Sequence, residues 1–313
     1  MFDAISLGSL TLDLFFQDES LTLRNNRFFL ALGGKYVVEH FSESMGGGGA
    51  NVAIGLARAG IQTALWSQIG TAGLSLYIRT QLLAEGIHLE LMQEKSDFAN
   101  LSAILLSPKG ERTILTHRSE HIVLDMSEQR LEALKHVRLV FIGSLPESSL
   151  SERVNIAKTA RTAGASVIVN LGVKDCRKGE EVRPLLQQAT TLILNRYELA
   201  DLLHIPANEL VLGSANYHNR LNLEDTCILV ITDGEFGAYA QTESEIFFQS
   251  ALKVPRVHDT TGAGDAFTSG FLSAQFYGKS AKEALACGAK NAVSVIGTLN
   301  AQAGLLYKKE LLS

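Results

Sequence analysis

Short apolar runs alternate with helical segments over most of this chain. Parallel strands that are covered on both faces appear in a sequence as continuous apolar runs, because neither face meets water. Alternation of such runs with helices predicts a doubly wound, mostly parallel α/β sheet. The runs are Ala4 to Leu7, Ala64 to Gln68, Leu139 to Ile142, Val167 to Val169, Leu192 to Leu194 and Ile228 to Ile231.

Two stretches, about 15–44 and 95–118, depart from this alternation. Leu101 to Leu106 and Thr113 to Thr116 have the composition of strands, and the segment Ser107 to Gly110 between them suits a tight turn. Tyr36-Val37-Val38 in the first stretch is also strand-like. We therefore predict one domain over residues 1–313, with a small β lid formed by the two stretches.

Composition and charge exclude several classes of protein. The 313 residues are 46% hydrophobic and 19% charged, so the chain can bury a large core. A formal net charge of -5 argues against binding to nucleic acid or to an anionic membrane, since both need basic patches. The three cysteines are scattered and form no CxxC motif, which predicts a reduced protein. The N-terminus does not resemble a signal peptide, and no apolar run reaches roughly 20 residues, so we predict a cytoplasmic location.

The segment Asp259 to Phe267 (DTTGAGDAF) precedes an apolar helix predicted over Ala266 to Tyr277. Its glycines let the backbone approach a ligand, and the N–H groups of residues 262–264 would form an anion site at a helix N-terminus. Asp265 lies at the same place, where a carboxylate could take a proton from a hydroxyl that attacks a phosphoryl group. The alternative is an ordinary helix start, with Asp265 as a favourable N-terminal charge.

A second glycine-rich segment, Gly46 to Asn51, leads into a helix predicted over Val52 to Ala59. Without side chains in the way, its backbone N–H groups and the Asn51 side chain could bind substrate hydroxyls. The alternative is a flexible linker, although linkers rarely run straight into a helix.

Together these two segments resemble the N-terminal and C-terminal signatures of the ribokinase-like (PfkB) family of carbohydrate and nucleoside kinases. Shorter motifs of that family occur in the same order, and the resemblance extends from about residue 4 to about residue 304. The shorter motifs are Gly8 to Asp13, the NxxE motif Asn195-Arg196-Tyr197-Glu198, Thr232-Asp233-Gly234 with Gly237, and Asn291 in a late helix.

The resemblance implies a Rossmann-like domain that binds ATP and Mg²⁺, with Asp265 as the catalytic base. The N–H groups of Gly262, Ala263 and Gly264 would stabilise the transferring phosphoryl group. Asn195 and Glu198 would hold Mg²⁺ through water. The residues that would contact the nucleotide are Asn195, Thr232, Gly234, Gly237, Thr261 and Asn291.

The resemblance also implies how a small-molecule acceptor would bind. Asp13, Gly46, Gly47 and Asn51 would orient it, and Arg112 and Arg118 on the lid hairpin would reach an anionic or longer substrate. The alternative for both arginines is a solvated hairpin face. In addition, Asp259 would help to form a site for a monovalent cation such as K⁺, and the lid would pair across a homodimer.

Three departures leave the acceptor open. Ribokinases usually have Lys where this chain has Gly48, Asn where it has Thr11, and an acidic residue near Gly143 to Pro146. The interpretation is therefore an ATP-dependent kinase for a small sugar or sugar derivative. A nucleoside kinase remains an alternative, because Phe15, Phe16, Phe28, Phe29 and Tyr36 could line a slot for a base. A catalytically silent regulator that binds a sugar or nucleotide is a further alternative, although such a protein should have lost the base or the NxxE motif.

Overall fold

The computed structural model describes residues 2–19, 21, 23–24, 27–71, 73–96, 98–107, 111–119, 123–145, 147–254, 260–298 and 300–313. Two predictions lie outside these residues: the monovalent-cation contact of Asp259, and the turn at positions 108–110 of the hairpin.

Sixteen strands and eleven α-helices make up the regular structure of the described residues. The strands are β1 (Ala4–Leu7), β2 (Thr11–Gln17), β3 (Leu23–Arg24), β4 (Arg27–Phe28), β5 (His40–Gly46), β6 (Thr63–Trp66), β7 (Gln68–Ile69), β8 (Gln93–Glu94), β9 (Leu101–Leu106), β10 (Arg112–His117), β11 (Leu139–Ile142), β12 (Ser166–Asn170), β13 (Thr191–Asn195), β14 (Ile228–Thr232), β15 (Ala238–Gln241) and β16 (Ile246–Gln249). The helices are α1 (Gly48–Arg58), α2 (Gly73–Ala84), α3 (Glu128–Leu134), α4 (Leu150–Thr162), α5 (Val173–Cys176), α6 (Arg183–Leu186), α7 (Arg196–Leu203), α8 (Tyr217–Arg220), α9 (Ala263–Phe276), α10 (Ala281–Ile296) and α11 (Lys308–Leu311).

The main sheet, within the described part of the chain, has eight strands in the order β16-β15-β14-β13-β12-β11-β1-β6. All neighbours from β6 to β14 are parallel, whereas β15 and β16 add an antiparallel edge. One face packs against α1, α9 and α10, and the other packs against α4 and α7. The predicted doubly wound α/β sheet is confirmed, since its strands are buried on both faces as their continuous apolar runs require.

A second sheet has the order β10-β9-β2-β5, in which β2 and β9 are parallel and the other pairs are antiparallel. Its strands lie largely within the two stretches that break the α/β alternation. The first residues of β2 and the last residues of β5 lie opposite each other, with Thr11 paired to Gly46. This pairing brings the base of the second sheet to the start of α1.

The start of helix α1 packs closely against the end of strand β1 and against Gly8, which follows that strand. A Cβ atom on Gly8 would lie 2.6 Å from the Cα atom of Gly49, and one on Gly49 would lie 2.5 Å from the carbonyl carbon of Gly8. The Ser6 hydroxyl donates to the Gly49 carbonyl at 2.7 Å, and the Ala50 N–H donates to the Ser9 carbonyl at 3.2 Å. The start of α1 is thus fixed to the end of β1.

Two local predictions were wrong. Tyr36 to Val38 is not a strand; the strand of this region is β5, which can pair along β2, whereas Val37 is 80% exposed. Helix α1 begins at Gly48 rather than at Val52, because Gly49 is held against β1 and so belongs to the first turn.

Across the described residues, no helix combines the length and the apolar character that a bilayer crossing requires.

Candidate active site

The N-terminus of α9 carries the predicted anion site. Its N-cap, Gly262, has φ 77°, and a Cβ there would lie 2.3 Å from the Ala301 Cβ, so only glycine fits. The Ala263 N–H donates to the Thr260 carbonyl at 3.3 Å, whereas the N–H groups of Gly262 and Gly264 have no acceptor among the described residues. A Cβ on Gly264 would meet no atom within 4 Å. The helix end therefore offers backbone donors that face open space.

Asp265 lies in the first turn of α9, against the start of α1. The Asn51 side chain donates from Nδ2 to Asp265 Oδ2 at 2.8 Å, and a Cβ on Gly48 would lie 3.3 Å from Asp265 Oδ1. Burial raises the pKa of Asp265, and the hydrogen bond from Asn51 opposes that rise. Burial thus makes this carboxylate a stronger base than one in water, while the hydrogen bond from Asn51 favours its ionised form.

The glycine loop between β5 and α1 lies directly beside Asp13. A Cβ on Gly46 would lie 2.4 Å from Asp13 Oδ2. Gly47 has φ 93°, and a Cβ there would lie 2.5 Å from the Ser9 carbonyl oxygen, so this turn requires glycine. The Gly48 N–H donates to Ser9 Oγ at 3.1 Å. The two carboxylates therefore contact the same short loop: Asp13 lies beside Gly46, and Asp265 lies beside Gly48.

Burial also raises the pKa of Asp13. Hydrogen bonds from Ser102 and Thr11 and the positive charge of Arg118 act in the opposite direction. Ser102 lies opposite Asp13 in the parallel pairing of β2 with β9, so the second sheet itself supplies this hydrogen bond. Asp13 is an acceptor-only carboxylate in a partly buried place, which suits a ligand that donates hydroxyl protons.

A polar pocket of about 120 Å³ adjoins Asp13 and includes Arg118. The two predicted lid arginines differ in position: Arg118 follows β10 near its base, whereas Arg112 begins β10 opposite Leu106, roughly 20 Å further along the hairpin. The structure thus brings Arg118 to the site and leaves Arg112 at the far end of the sheet. The pocket is lined by Ser9, Thr11, Asn100, Arg118, Ser119, Ser144 and Glu147.

The NxxE motif forms a capping box at the start of α7. Asn195 Oδ1 accepts from the N–H groups of Tyr197 and Glu198 at 2.9 Å each, and Glu198 Oε2 accepts from the Asn195 N–H at 2.8 Å. Burial raises the pKa of Glu198 to about 7; the negative charges of Asp265 and Asp201 add to this rise, and the bond from Asn195 opposes it. The motif thus lies within electrostatic reach of Asp265.

The predicted nucleotide segment follows β14, next to the NxxE motif. Asn195 and Thr232 lie opposite each other at the carboxyl ends of β13 and β14. Gly234 and Gly237 have φ 56° and 114°, and they shape the turn that follows Thr232. Ligands of open α/β sheets bind at this edge, outside the carboxyl ends of the strands.

An ion pair joins these two neighbouring motifs. Arg196 donates to both carboxylate oxygens of Asp233 at 2.6 Å each, and its third nitrogen donates to the Ala207 and Leu210 carbonyls at 3.0 Å. A bidentate pair fixes direction as well as distance. The turn after β14 is therefore held in a set position relative to α7.

Two further residues of the predicted nucleotide site, Asn291 and Thr261, lie next to α9. Asn291 is 1% exposed; its Nδ2 donates to the Ala266 carbonyl at 2.8 Å and to Ser269 Oγ at 3.2 Å, and its Oδ1 accepts from the Leu306 N–H at 2.9 Å. These bonds give Asn291 a packing role between α10 and α9, and its contact with the nucleotide stays a prediction. Thr261 is exposed in the turn before α9.

The residues present fit a magnesium ion that is bound mainly by phosphate. Within the described residues, no three His, Cys, Asp or Glu side chains converge as a protein-built metal cage would need. Mg²⁺ usually takes one or two carboxylates together with waters and substrate phosphates. Glu198 offers such a carboxylate, with Oε1 unbonded to any described residue, within electrostatic reach of Asp265 in the first turn of α9.

Sequence reasoning missed several residues of this site. Gln302 contacts Asn51, Ser102 contacts Asp13, Arg196 pairs with Asp233, and Glu147 lines the polar pocket. Arg196 was visible inside the NxxE motif, and its charge next to an acidic strand end was a usable signal. Gln302 and Ser102 carried no signal, because their roles depend on contacts between distant segments.

A family model described as pfkB family carbohydrate kinase matches residues 1–307, and the chain therefore belongs to this family of kinases. The resemblance that the two glycine-rich segments indicate is thus confirmed.

Individual relatives are distant. The chain is 27% identical over 292 residues to 2-dehydro-3-deoxygluconokinase of Bacillus subtilis (strain 168). This match covers 87% of this chain and 85% of that relative. It is 28% identical over 251 residues to probable fructokinase-6, chloroplastic, of Arabidopsis thaliana, which covers 74% of this chain but 62% of that relative's length. A solved structure of Arabidopsis thaliana ribokinase complexed with ribose and ATP has TM-score 0.80 and 22% identity, with 99% of this chain and 97% of that chain covered, which confirms the ribokinase-like fold.

Proposed function

We propose that this protein transfers the γ-phosphoryl group of ATP to a hydroxyl group of a small sugar or sugar derivative. The observation that carries the proposal is the position of Asp265. It lies between the N–H groups of Gly262 and Gly264, which have no acceptor among the described residues, and the glycine loop beside Asp13. A base between an anion site and a hydroxyl-binding carboxylate suits phosphoryl transfer to an alcohol.

In this proposal Asp265 takes the proton of the acceptor hydroxyl as that hydroxyl attacks the phosphoryl group. Its raised pKa makes it a better proton acceptor, and the hydrogen bond from Asn51 favours its ionised form and points Oδ2 in a fixed direction. The N–H groups at the start of α9 stabilise the charge that spreads over the transferring group. When bound, Mg²⁺ would neutralise phosphate charge, with Asn195 and Glu198 holding it through water.

On the acceptor side, Asp13, Gly46 and Gly47 would orient the sugar. Asn51 is 3% exposed and bonded to Asp265 and Gln302, so we propose that it acts on the acceptor through Asp265. Arg118 is close enough to affect the charge of Asp13, so we assign to Arg118, and not to Arg112, the contact with a distal group of the acceptor. The similarity to a 2-dehydro-3-deoxygluconokinase supports the testing of sugar acids beside neutral sugars.

We extend the proposal to the lid, the assembly and the location of the protein. Residues 15–44 and 95–118 would form the lid of a single domain, which closes to keep water away from the phosphoryl group. The protein would act in the cytoplasm as a homodimer through this lid, with activation by K⁺ as a separate proposal.

A nucleoside kinase of the same family is the second candidate. Successive side chains of a strand point to opposite faces, so Phe15 lies on the face of β2 that carries Asp13, whereas Phe16 lies on the other face, where its ring centroid is 5.4 Å from that of Phe41. The observation that favours a slot for a nucleobase is the aromatic ring of Phe15, two residues beyond Asp13, the carboxylate proposed to bind the acceptor.

The test is an ADP-release assay with ATP and Mg²⁺ against sugars, sugar acids, sugar phosphates and nucleosides, each with and without K⁺. Turnover with a sugar or sugar derivative and none with nucleosides is the expected result. Turnover restricted to nucleosides would replace the proposal with the second candidate. Tight binding of sugar and ATP without turnover under any condition would overturn both and favour a catalytically silent regulator.

A further inference from the structure

A chain of side-chain amides leads from the backbone of β5 to Asp265. Gln302 Nε2 donates to the Met45 carbonyl at 2.9 Å and to Asn51 Oδ1 at 2.9 Å. Asn51 Nδ2 in turn donates to Asp265 Oδ2 at 2.8 Å. Gln302 and Asn51 are 8% and 3% exposed, so water has little access to replace any of these bonds.

The direction of these hydrogen bonds is fixed at one end by a group that can only accept. The Met45 carbonyl can only accept, so the amide of Gln302 must present its NH₂ group there. The same NH₂ group meets Asn51, which must therefore present its oxygen to Gln302 and its nitrogen to Asp265. If Asn51 were reversed, two NH₂ groups would face each other and an amide oxygen would face a carboxylate.

We propose that Gln302 is a positioning residue for the catalytic base: it holds the amide of Asn51 in the orientation that donates a hydrogen bond to Asp265. The proposal rests on the proposed role of Asp265 as that base. Gln302 does not touch the reacting groups and acts through Asn51.

The backbone around Gln302 is itself held in place. Arg58 Nη1 donates to the Gln302 carbonyl at 2.6 Å and to the Leu305 carbonyl at 3.2 Å, while the same guanidinium pairs with Glu85 at 2.6 Å. The preceding residue, Ala301, packs against Gly262 at the anion site. One C-terminal segment thus supports both the backbone donors of the anion site and the orientation of the base.

Few charged groups compete with this arrangement. From α7, Glu198 faces Asp265 closely enough for the charge of Asp265 to raise the Glu198 pKa. From α1, the neutral Asn51 supplies the hydrogen bond that opposes the effect of burial on Asp265. The hydrogen bond from Asn51 therefore opposes the effect of burial and favours the ionised form of Asp265.

The test compares two substitutions at one position. Gln302→Glu places a carboxylate against Asn51 Oδ1, which favours reversal of the Asn51 amide and removes the donor from Asp265. Gln302→Met keeps the length but removes the fixed polarity. We expect kcat to fall about 10–100-fold in the Glu variant and less in the Met variant, with the acid limb of the pH–kcat profile moved to higher pH. The KM for ATP should stay within about twofold.

Glu85→Gln is the matched control, because it loosens Arg58 and the same segment without changing the amide chain. It should lower the thermal midpoint and leave the acid limb in place. If the Gln302 variants lower the thermal midpoint but keep the wild-type acid limb, Gln302 is only structural and the proposal is overturned.

A second readout needs no turnover. In protein labelled with ¹³C at the aspartate carboxyls, the Asp265 signal is identified by its loss in Asp265→Asn, and its titration is followed without substrates. A higher pKa for Asp265 in Gln302→Glu or Gln302→Met supports the proposal even if no acceptor is found and the proposed function fails. An unchanged titration in a folded Gln302 variant overturns the proposal, and turnover by the wild-type protein would still leave the proposed function standing.

Discussion

The two sides of the candidate site differ in how their residues are held. On the donor side, the NxxE motif and the turn after β14 are fixed mainly by hydrogen bonds within the motif and by the ion pair between the two. On the acceptor side, the polar pocket takes residues from at least three separate parts of the chain, including Thr11, Arg118 and Glu147. A locally built side can persist while substrates change, whereas a side built from distant segments can vary one residue at a time.

The largest expected effect belongs to Asp265, where the two sides meet. Asp265→Asn should reduce kcat by about 10²–10⁴-fold, because general-base catalysis is lost while the shape of the site is kept. ATP affinity, measured by calorimetry, should change little. Near-normal turnover would show that the two sides do not meet at this carboxylate.

Asp13→Asn should act on the acceptor side alone. We expect kcat/KM for the acceptor to fall about 10–100-fold, the size of one lost charge-assisted hydrogen bond. Steady-state kinetics with each substrate varied in turn would measure it. A comparable rise in the KM for ATP would contradict the separation of the two sides.

The pH dependence of kcat should reflect the ionisation of Asp265, the proposed catalytic base. Because the pKa of Asp265 is raised by burial, its proton is bound at a higher pH than in a free aspartate, and kcat should fall as pH drops through that raised value. The decline should approach about tenfold per pH unit. A pH–kcat profile would measure it, and Asp13→Asn should keep the same acid limb if that limb belongs to Asp265.

The smallest effect is expected for the exposed Arg118. Arg118→Gln should weaken the preference for anionic over neutral acceptors by about two- to fivefold, since partly solvated charges contribute little. Arg112→Gln is the matched control and should leave the preference unchanged, because Arg112 lies at the far end of the hairpin. Equal effects of the two substitutions would mean that only the overall charge of the second sheet matters.

Much of the fold follows from local pattern. Ala4–Leu7 and Leu139–Ile142 are strands with the predicted bounds, because buried parallel strands need uninterrupted apolar residues. The second sheet was harder to predict. Its strands alternate only weakly in burial, and the strand-like Tyr36 to Val38 is exposed while the more polar β5 pairs with β2.

The site divides in the same way. Gly262 and Asp265 could be chosen from the sequence, because a glycine pair before a helix has a local meaning. That Asn51 donates to Asp265, and that Gln302 orients Asn51, could not be predicted, because these residues meet only when α1, α9 and the C-terminal segment pack together. For Asn291, the sequence motif predicted a nucleotide contact but gave no sign of the hydrogen bonds that this buried side chain makes to Ala266 and Leu306.

The contact between Gly8 and Gly49 has a consequence for how this protein tolerates variation. Neither glycine offers a side chain for chemistry, yet any replacement at Gly8 must push α1 away from β1. That helix begins with Gly48 beside the base and carries Asn51 one turn later. In a survey of random single substitutions, we therefore expect inactivating changes at Gly8 to be as frequent as those at Asp265, so that a map of intolerant positions would mark a contact between backbones as clearly as a reactive group.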